Sequence, residues 1–409
     1  MMKNFSETGI ISIMNQARKY GYYSGNILWA NLGQGAPETE ALSEVSRMTS
    51  LRNDDSTSEY APVEGRSDTR DAIAGLYNSR YRDSVSRYSD DNILVTSGGR
   101  LAITKIVASL DSANIGYFVP DYTPYQNIIG LFKEHNAIPI LLNKENGYSI
   151  SIEKLRESVR LYKITAIIMS NPSNPIGRLT DEQQMIELIE LAEAENFILI
   201  MDEVYSHYVY DRPEVNPPYT FSSAKYITAV DSSNVIIVDG LTKNWRYPGL
   251  RLAWIVASKK IIKTIADCGA FMDGGASNLV QKNILHLLNV NAAALEVKGI
   301  QSCFQAKRDY VVKKLLDIGI VIDLVPQGAF YVWADLSNLP LILQDGARFT
   351  EFCLQECVIV VPGICFDDQS DIVLADVRFR HYIRISFGPK LEIVKAGMER
   401  IEKIVRRYS

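Results

Sequence analysis

Ile164-Thr-Ala-Ile-Ile-Met169, Thr180-Asp-Glu-Gln-Gln-Met-Ile-Glu-Leu-Ile-Glu-Leu-Ala192 and Phe197-Ile-Leu-Ile-Met201 follow one another along the chain, and together they decide the fold. The outer two are continuous apolar runs rather than alternating ones, which suits strands buried on both faces. The middle segment repeats its apolar residues at helical spacing, with Thr180 as the expected N-cap. Strand, helix, strand in this order implies parallel pairing through a crossover helix.

Working outward, the same kind of apolar run recurs at Ile93–Val95, Gly116–Val119, Ile138–Leu142, Val235–Val238 and Leu252–Ala257, with a helical pattern at Arg100–Leu110. The expected fold class is α/β: a large domain with a seven-stranded, mostly parallel sheet flanked by helices, plus a smaller α+β domain formed by both termini. After about residue 290 the alternation stops. A long helical segment from Ala292 to Leu316 leads into short strands around Ala329–Trp333, Val358–Val361 and Tyr382–Ile385. The expected division is residues 46–290 for the large domain, and 1–45 with 291–409 for the small one. Ligands of such sheets bind beyond the carboxyl ends of the strands.

With 409 residues the chain is long enough for two domains, and its 47% hydrophobic and 22% charged content is ordinary for a soluble enzyme. A net charge of −5 gives no reason to expect nucleic acid as a partner. Arg66, Arg70, Arg80, Arg82 and Arg87 fall close together among acids, which reads as a solvated helix face or a subunit contact. The five cysteines are scattered without a CxxC pair and the four histidines are isolated, so no metal site is expected. Cys353 and Cys357, one helical turn apart, read as core packing. The first residues carry an early acid, and the apolar run Ile10–Met14 is too short for a signal core. No apolar stretch nears the roughly 20 residues of a membrane helix. A cytoplasmic enzyme is the expectation.

Several segments that follow these strands carry chemistry. In Asp239-Gly-Leu-Thr-Lys-Asn-Trp-Arg-Tyr-Pro-Gly-Leu-Arg251, a lone lysine, Lys243, sits on a turn with Arg251 within reach. An aldehyde cofactor bearing a phosphate needs such an amine and such a guanidinium. Thr96-Ser-Gly-Gly-Arg100 joins a strand to a helix and aims backbone N–H groups at an anion. Tyr122 and Tyr125 follow the strand ending at Val119 and offer an aromatic face to a planar ring. Asn171-Pro-Ser-Asn-Pro-Ile-Gly177 fixes a loop that aims Asn174. In Met201-Asp-Glu-Val-Tyr205, Asp202 ends a buried strand and needs a partner, which a protonated pyridine nitrogen would supply, and Tyr205 lies close by.

In this order and spacing, the segments resemble the class I/II aminotransferase family of fold type I pyridoxal-phosphate enzymes over essentially the whole chain. The resemblance implies pyridoxal 5'-phosphate as cofactor and Lys243 as the residue that forms the internal aldimine and later shuttles a proton. It implies Asp202 on the pyridine nitrogen, with Asn174 and Tyr205 on the ring oxygen. Tyr122 would stack on the ring, with Tyr125 left open as the alternative. Gly98, Gly99, Arg100, Thr242 and Arg251 would hold the phosphate. Tyr60 resembles a tyrosine that reaches the phosphate of a neighbouring subunit, which implies a homodimer with shared active sites. On the substrate side, Arg384 in His381-Tyr-Ile-Arg-Ile-Ser-Phe-Gly388 would grip the α-carboxylate. Gly35 would make the facing backbone contact.

The chain also departs from the family pattern. Gly240 and Thr242 stand where serines are common, so the phosphate should lean on Arg251 and the 97–100 turn. Ala253 replaces a usual glycine, which reads as a mild packing change, and Asp68-Thr-Arg70 stands where relatives often have Leu-Arg. The expected reaction moves an amino group between an L-amino acid and a 2-oxo acid. The alternative keeps the cofactor but ends in β-elimination, cyclisation or O2-dependent oxidation. A non-catalytic effector-binding module is the third reading. Only about thirty residues precede Leu32, too few for a DNA-binding extension, and the lysine is present. No second arginine for an acidic side chain stands out, and Tyr20, Tyr22 and Tyr23 are left either lining the pocket or packing the small domain.

Overall fold

The computed structural model describes residues 9–42, 47–211, 218–367 and 378–408. The first residues, read above for a leader, and the 45/46 boundary lie outside them. A two-residue strand, β1 (Ala30–Asn31), comes first. The main sheet then takes β2 (Ile93–Thr96), β3 (Asn114–Val119), β4 (Asn136–Leu141), β5 (Ala166–Ser170), β6 (Ile198–Asp202), β7 (Val235–Gly240) and β8 (Ala253–Val256). All seven apolar runs of the sequence enter this sheet. Its order is β2-β8-β7-β6-β5-β3-β4, with β8 antiparallel to both neighbours and the other pairings parallel.

The continuous runs are explained by what covers each face. Along β6, Leu199 and Met201 join one apolar cluster while Ile200 joins another on the opposite face, and all three are fully buried. Each such side chain contributes about 1.5–3 kcal/mol relative to exposure. Only β4 departs from this burial: it pairs with β3 alone, at the sheet edge, and its residues are partly exposed.

The remaining strands are β9 (Tyr331–Asp335), β10 (Val358–Ile359), β11 (Val361–Pro362) and β12 (Tyr382–Ser386). An antiparallel sheet of order β11-β12-β9 packs in one cluster with the long helix Val290–Asp317 and the C-terminal helix Leu391–Tyr408. β1 pairs parallel with β10, Ala30 opposite Val358, so the N-terminal stretch joins the C-terminal part of the chain. Cys353 is buried in that same cluster.

Two expectations need correction. The helix Glu182–Ala194 is capped by Asp181, whose carboxylate accepts the Gln184 N–H at 2.8 Å. Thr180 instead donates its own N–H to Asn171 Oδ1 at 3.0 Å. A carboxylate gains from the positive helix end, so it outcompetes a neighbouring hydroxyl for the cap. The arginines at 66–82 do not form a solvated face. Arg82 is fully buried on the carbonyls of Ala224 and Ile227, and Arg70 donates to the carbonyls of Gly65 and Asp90.

Candidate active site

The parallel strands end at one edge of the main sheet, and the chemistry gathers there. β2 leads into Gly98–Arg100, β3 into Tyr122, β5 into Asn174, β6 into Asp202 and Tyr205, and β7 into Thr242 and Lys243. β12 brings Arg384 from the other sheet, and the segment after β1 brings Gly35. A cleft of about 560 Å3 has Lys243, Asp202, Arg384, Arg251, Asn174 and Tyr122 in its wall. Gly99, Arg100, Gly35, Tyr205 and Thr242 line it too. Tyr60 does not: it stands 96% exposed, away from its own chain's cleft.

Lys243 is partly buried and donates from Nζ to the carbonyl of Gly35. Burial first, then the nearby guanidinium groups of Arg384, Arg100 and Arg251, press its pKa down to about 7, against a raising pull from Asp202. Asp202 is 5% exposed. Burial raises its pKa to about 6, opposed by hydrogen bonds from Tyr125 and the Val204 N–H and by the charge of Lys243. Its Oδ2 accepts the Tyr125 hydroxyl at 2.8 Å, whereas its buried Oδ1 has no hydrogen-bond partner among the described residues.

The two tyrosines after β3 therefore divide the work. Tyr122 faces the cleft and accepts the Arg100 Nε–H at 2.8 Å; Tyr125 is fully buried and holds the carboxylate. The Tyr205 and Tyr331 hydroxyls lie 2.8 Å apart. Arg384 donates from Nη1 to Asn174 Oδ1 at 2.7 Å and from Nη2 to the Gly33 carbonyl at 2.6 Å, while its buried Nε has no hydrogen-bond partner. Only a glycine fits at position 35, because a Cβ there would lie 2.3 Å from the Tyr331 hydroxyl oxygen.

The chain matches the family of class I and II aminotransferases over residues 28–401. It belongs to that family. Among its relatives, the aspartate aminotransferase of Pyrococcus horikoshii is 24% identical over 91% of this chain and 90% of that protein. The aspartate aminotransferase of Streptomyces avermitilis is 27% identical over 85% and 81%. The solved Thermus thermophilus aspartate aminotransferase with maleate shares the fold at a TM-score of 0.79. It has 20% identity and covers 98% of this chain and 100% of that one.

This aminotransferase uses pyridoxal 5'-phosphate to move amino groups, and its cleft fits that cofactor on independent grounds. The lone buried oxygen of Asp202 matches a ring N–H donor. Gly98, at φ 102°, leaves room for the Arg251 guanidinium, whose Nη2 would stand 2.5 Å from a Cβ at that position. Backbone amides opening the helix Gly99–Ser109 and the Arg251 fork then face one side of the cleft, as a phosphate requires.

The aminotransferase also links two departures that the sequence presents separately. Gly240 and Ala253 are register partners across β7 and β8, and a Cβ on Gly240 would lie 2.6 Å from the Ala253 Cα. The Ala253 Cβ would follow at 2.7 Å and the Leu252 carbonyl oxygen at 2.8 Å, so backbone as well as side chain closes the space at 240. Two contributors, Tyr331 and the first helix, escaped the sequence reading, and Tyr125 was read there only as an alternative ring-stacker. Tyr331 enters through the β9–β12 pairing, opposite Ser386. Tyr125 acts through Asp202. The helix Gly9–Lys19 lines the cleft with Ile11, Met14, Asn15 and Arg18, at i, i+3, i+4 and i+7. Only that last spacing left a trace in the sequence. Tyr22 packs on Trp29 with ring centroids 5.5 Å apart, and none of Tyr20, Tyr22 and Tyr23 lines the cleft.

Proposed function

We propose that this enzyme exchanges an amino group between an L-amino acid and a 2-oxo acid, with Lys243 as cofactor-bound amine and proton carrier. The observation that carries the reading is the presence of Lys243, the unpartnered oxygen of Asp202 and the unpartnered Nε of Arg384 in one cleft. When bound, the cofactor supplies an aldehyde for the amino group and a protonated ring that draws electrons from the substrate Cα. Asp202 keeps the ring nitrogen protonated, and Tyr125 holds Asp202 in place. Lys243, with a pKa near neutrality, takes the Cα proton at Nζ and returns it. Arg384 holds the α-carboxylate, and Asn174 steers Arg384. Arg251, Arg100, Thr242 and the Gly98–Gly99 turn hold the phosphate; Tyr122 covers the ring and Tyr205 contacts its oxygen.

Relatives bearing the name aspartate aminotransferase make aspartate the first donor to assay. Arg18, at the rim of the cleft and tethered to Asn15 Oδ1 at 2.7 Å, is the cation a side-chain carboxylate would meet. Borohydride reduction of the holoenzyme followed by peptide mapping tests the assignment: the tag should fall on Lys243. A single amino acid should convert the bound cofactor to its amine form with release of a 2-oxo acid. A tag on another lysine overturns the role of Lys243, and release of ammonia or peroxide overturns amino transfer.

The proposed organisation is a cofactor domain of residues 46–290 and a small domain of 1–45 with 291–409, acting in the cytoplasm as a homodimer. Among the described residues no helix is long and apolar enough to cross a membrane. The dimer is supported by exposure around Tyr60. Asn278 Nδ2 donates to the carbonyls of Ser56 and Glu59, and a Cβ on Gly275 would lie 3.2 Å from the Pro62 carbonyl. The Tyr60 loop therefore packs beside the turn that carries Phe271, which is 93% exposed. Adjoining exposed aromatics suit a subunit contact.

A further inference from the structure

Arg246 lies three residues beyond Lys243 and donates its N–H to the Lys243 carbonyl at 3.0 Å, in the left-handed region at φ 57°. Its fully buried guanidinium leaves this turn altogether. Nη1 donates to the carbonyls of Glu38, at 3.0 Å, and Glu40, while Nε donates to Glu296 Oε1 at 2.9 Å. Arg47 makes the reverse crossing. From the N-terminal segment it donates to the carbonyls of Trp245 at 2.9 Å and Arg246 at 2.8 Å, with its guanidinium 3.7 Å from the Tyr247 ring centroid. Glu296, 4% exposed on the helix Val290–Asp317, lies between the two, 3.4 Å from Arg47 Nη1.

Each segment thus presents an arginine to the other's carbonyls, and one carboxylate answers both charges. The segment held this way carries Gly35, whose carbonyl takes the Lys243 amine. It is pinned again where the Glu38 N–H donates to the Gly388 carbonyl at 2.8 Å, just past Arg384 on the chain. Burying two guanidinium groups and holding arginine at positive φ both cost stability relative to apolar residues of similar volume. The arrangement ties the turn of the reacting amine to the backbone that faces it.

We infer that Arg47, Arg246 and Glu296 form a reciprocal clasp that positions Lys243 against the Gly35 segment, and thereby sets the rate of proton transfer. This rests on the reading of Lys243 given above. The clasp residues touch neither substrate nor cofactor; they are positioning residues acting through the lysine turn.

The test uses holoenzyme carrying Arg246→Met, Arg246→Lys or Arg47→Met. Three quantities are read: kcat and KM for the amino donor, the pH midpoint of the bound cofactor's visible absorption, and the thermal midpoint. Arg246→Met should lower kcat about tenfold or more while KM changes less than about threefold, because Arg384 keeps its own anchors. The absorption midpoint should move by about half a pH unit or more as the lysine environment loosens. Arg246→Lys should not rescue, since a single ammonium does not span two carbonyls and a carboxylate. Arg47→Met should move kcat and the absorption midpoint in the same directions, and it decides the matter together with Arg246→Lys where Arg246→Met does not fold. Variants that keep kcat within about twofold of the parent and the absorption midpoint within about 0.3 pH unit, with only the thermal midpoint lowered, overturn the clasp. A parent without amino transfer overturns the underlying reading as well; an active parent with unmoved variants overturns the clasp alone.

Discussion

Lys243 carries its ammonium into a cleft where burial and the guanidinium groups of Arg384, Arg100 and Arg251 outweigh the carboxylate of Asp202, and the resulting pKa of about 7 has two measurable consequences. The neutral amine is the nucleophile, and its share rises with pH through about 7. Capture of pyridoxal phosphate by apoenzyme should therefore speed up through that range and then level off, as stopped-flow absorption would show. A rate that still climbs about tenfold per pH unit through pH 9 would contradict the depressed value. Stability carries the same signature. The folded value lies below the ordinary 10.5, so the protonated form is held less well folded than unfolded. That penalty is complete below about pH 7 and fades as pH climbs toward 10.5. Lys243→Met should accordingly raise the thermal midpoint of the apoenzyme most near pH 6 and least near pH 10, by roughly the proton linkage. At this scale the sequence named the amine, the carboxylate and the guanidinium groups, because most of them lie at or just after the end of an apolar strand, and Arg384 lies within one. It did not reveal that Tyr125 rather than Tyr122 meets Asp202, since two tyrosines three residues apart look alike until one is buried.

Among the elements, β7 and β8 show how a local departure becomes a paired constraint. Gly240 and Ala253 face each other across an antiparallel ladder, where a Cβ on Gly240 would meet the Ala253 Cα, its Cβ and the Leu252 carbonyl oxygen, all within 2.8 Å. Gly240→Ser alone should destabilise the protein by about 1–3 kcal/mol through overpacking. Adding Ala253→Gly should recover little of that loss in chemical denaturation, because the Ala253 Cα and the Leu252 carbonyl oxygen stay in place, and near-complete recovery would refute backbone closure of the site. Strand existence was legible here because a strand buried on both faces must be apolar throughout. Register was not, since pairing across twelve intervening residues or more depends on how the rest of the sheet stacks. The Asp181 cap falls in the same class: Thr180 and Asp181 both have capping side chains, and the choice between them turned on which was drawn into the Asn171 loop.

For the molecule as a whole, Tyr60 is 96% exposed and does not line its own chain's cleft, which the proposed homodimer would account for. In the proposed homodimer, Tyr60 of the partner subunit reaches the phosphate of this chain's cofactor. Light scattering should report twice the chain mass. Tyr60→Phe should weaken cofactor retention about tenfold in equilibrium dialysis, the cost of one hydrogen bond to a charged group. A monomer that retains full activity at low concentration would remove the basis for shared sites.

Apolar runs and strand-end motifs by themselves determined the seven-stranded α/β sheet, the family and many of the residues that line the cleft. Those features are written locally: burial on two faces demands a continuous apolar run, and a strand's carboxyl end places the next few residues at the ligand edge. Only the tertiary structure decided which tyrosine holds Asp202, which helix roofs the cleft, and how Arg47 and Arg246 cross between distant segments to meet Glu296. Such contacts join residues up to about 250 positions apart in the chain, and no periodicity or spacing encodes a distance that the packing of whole layers sets.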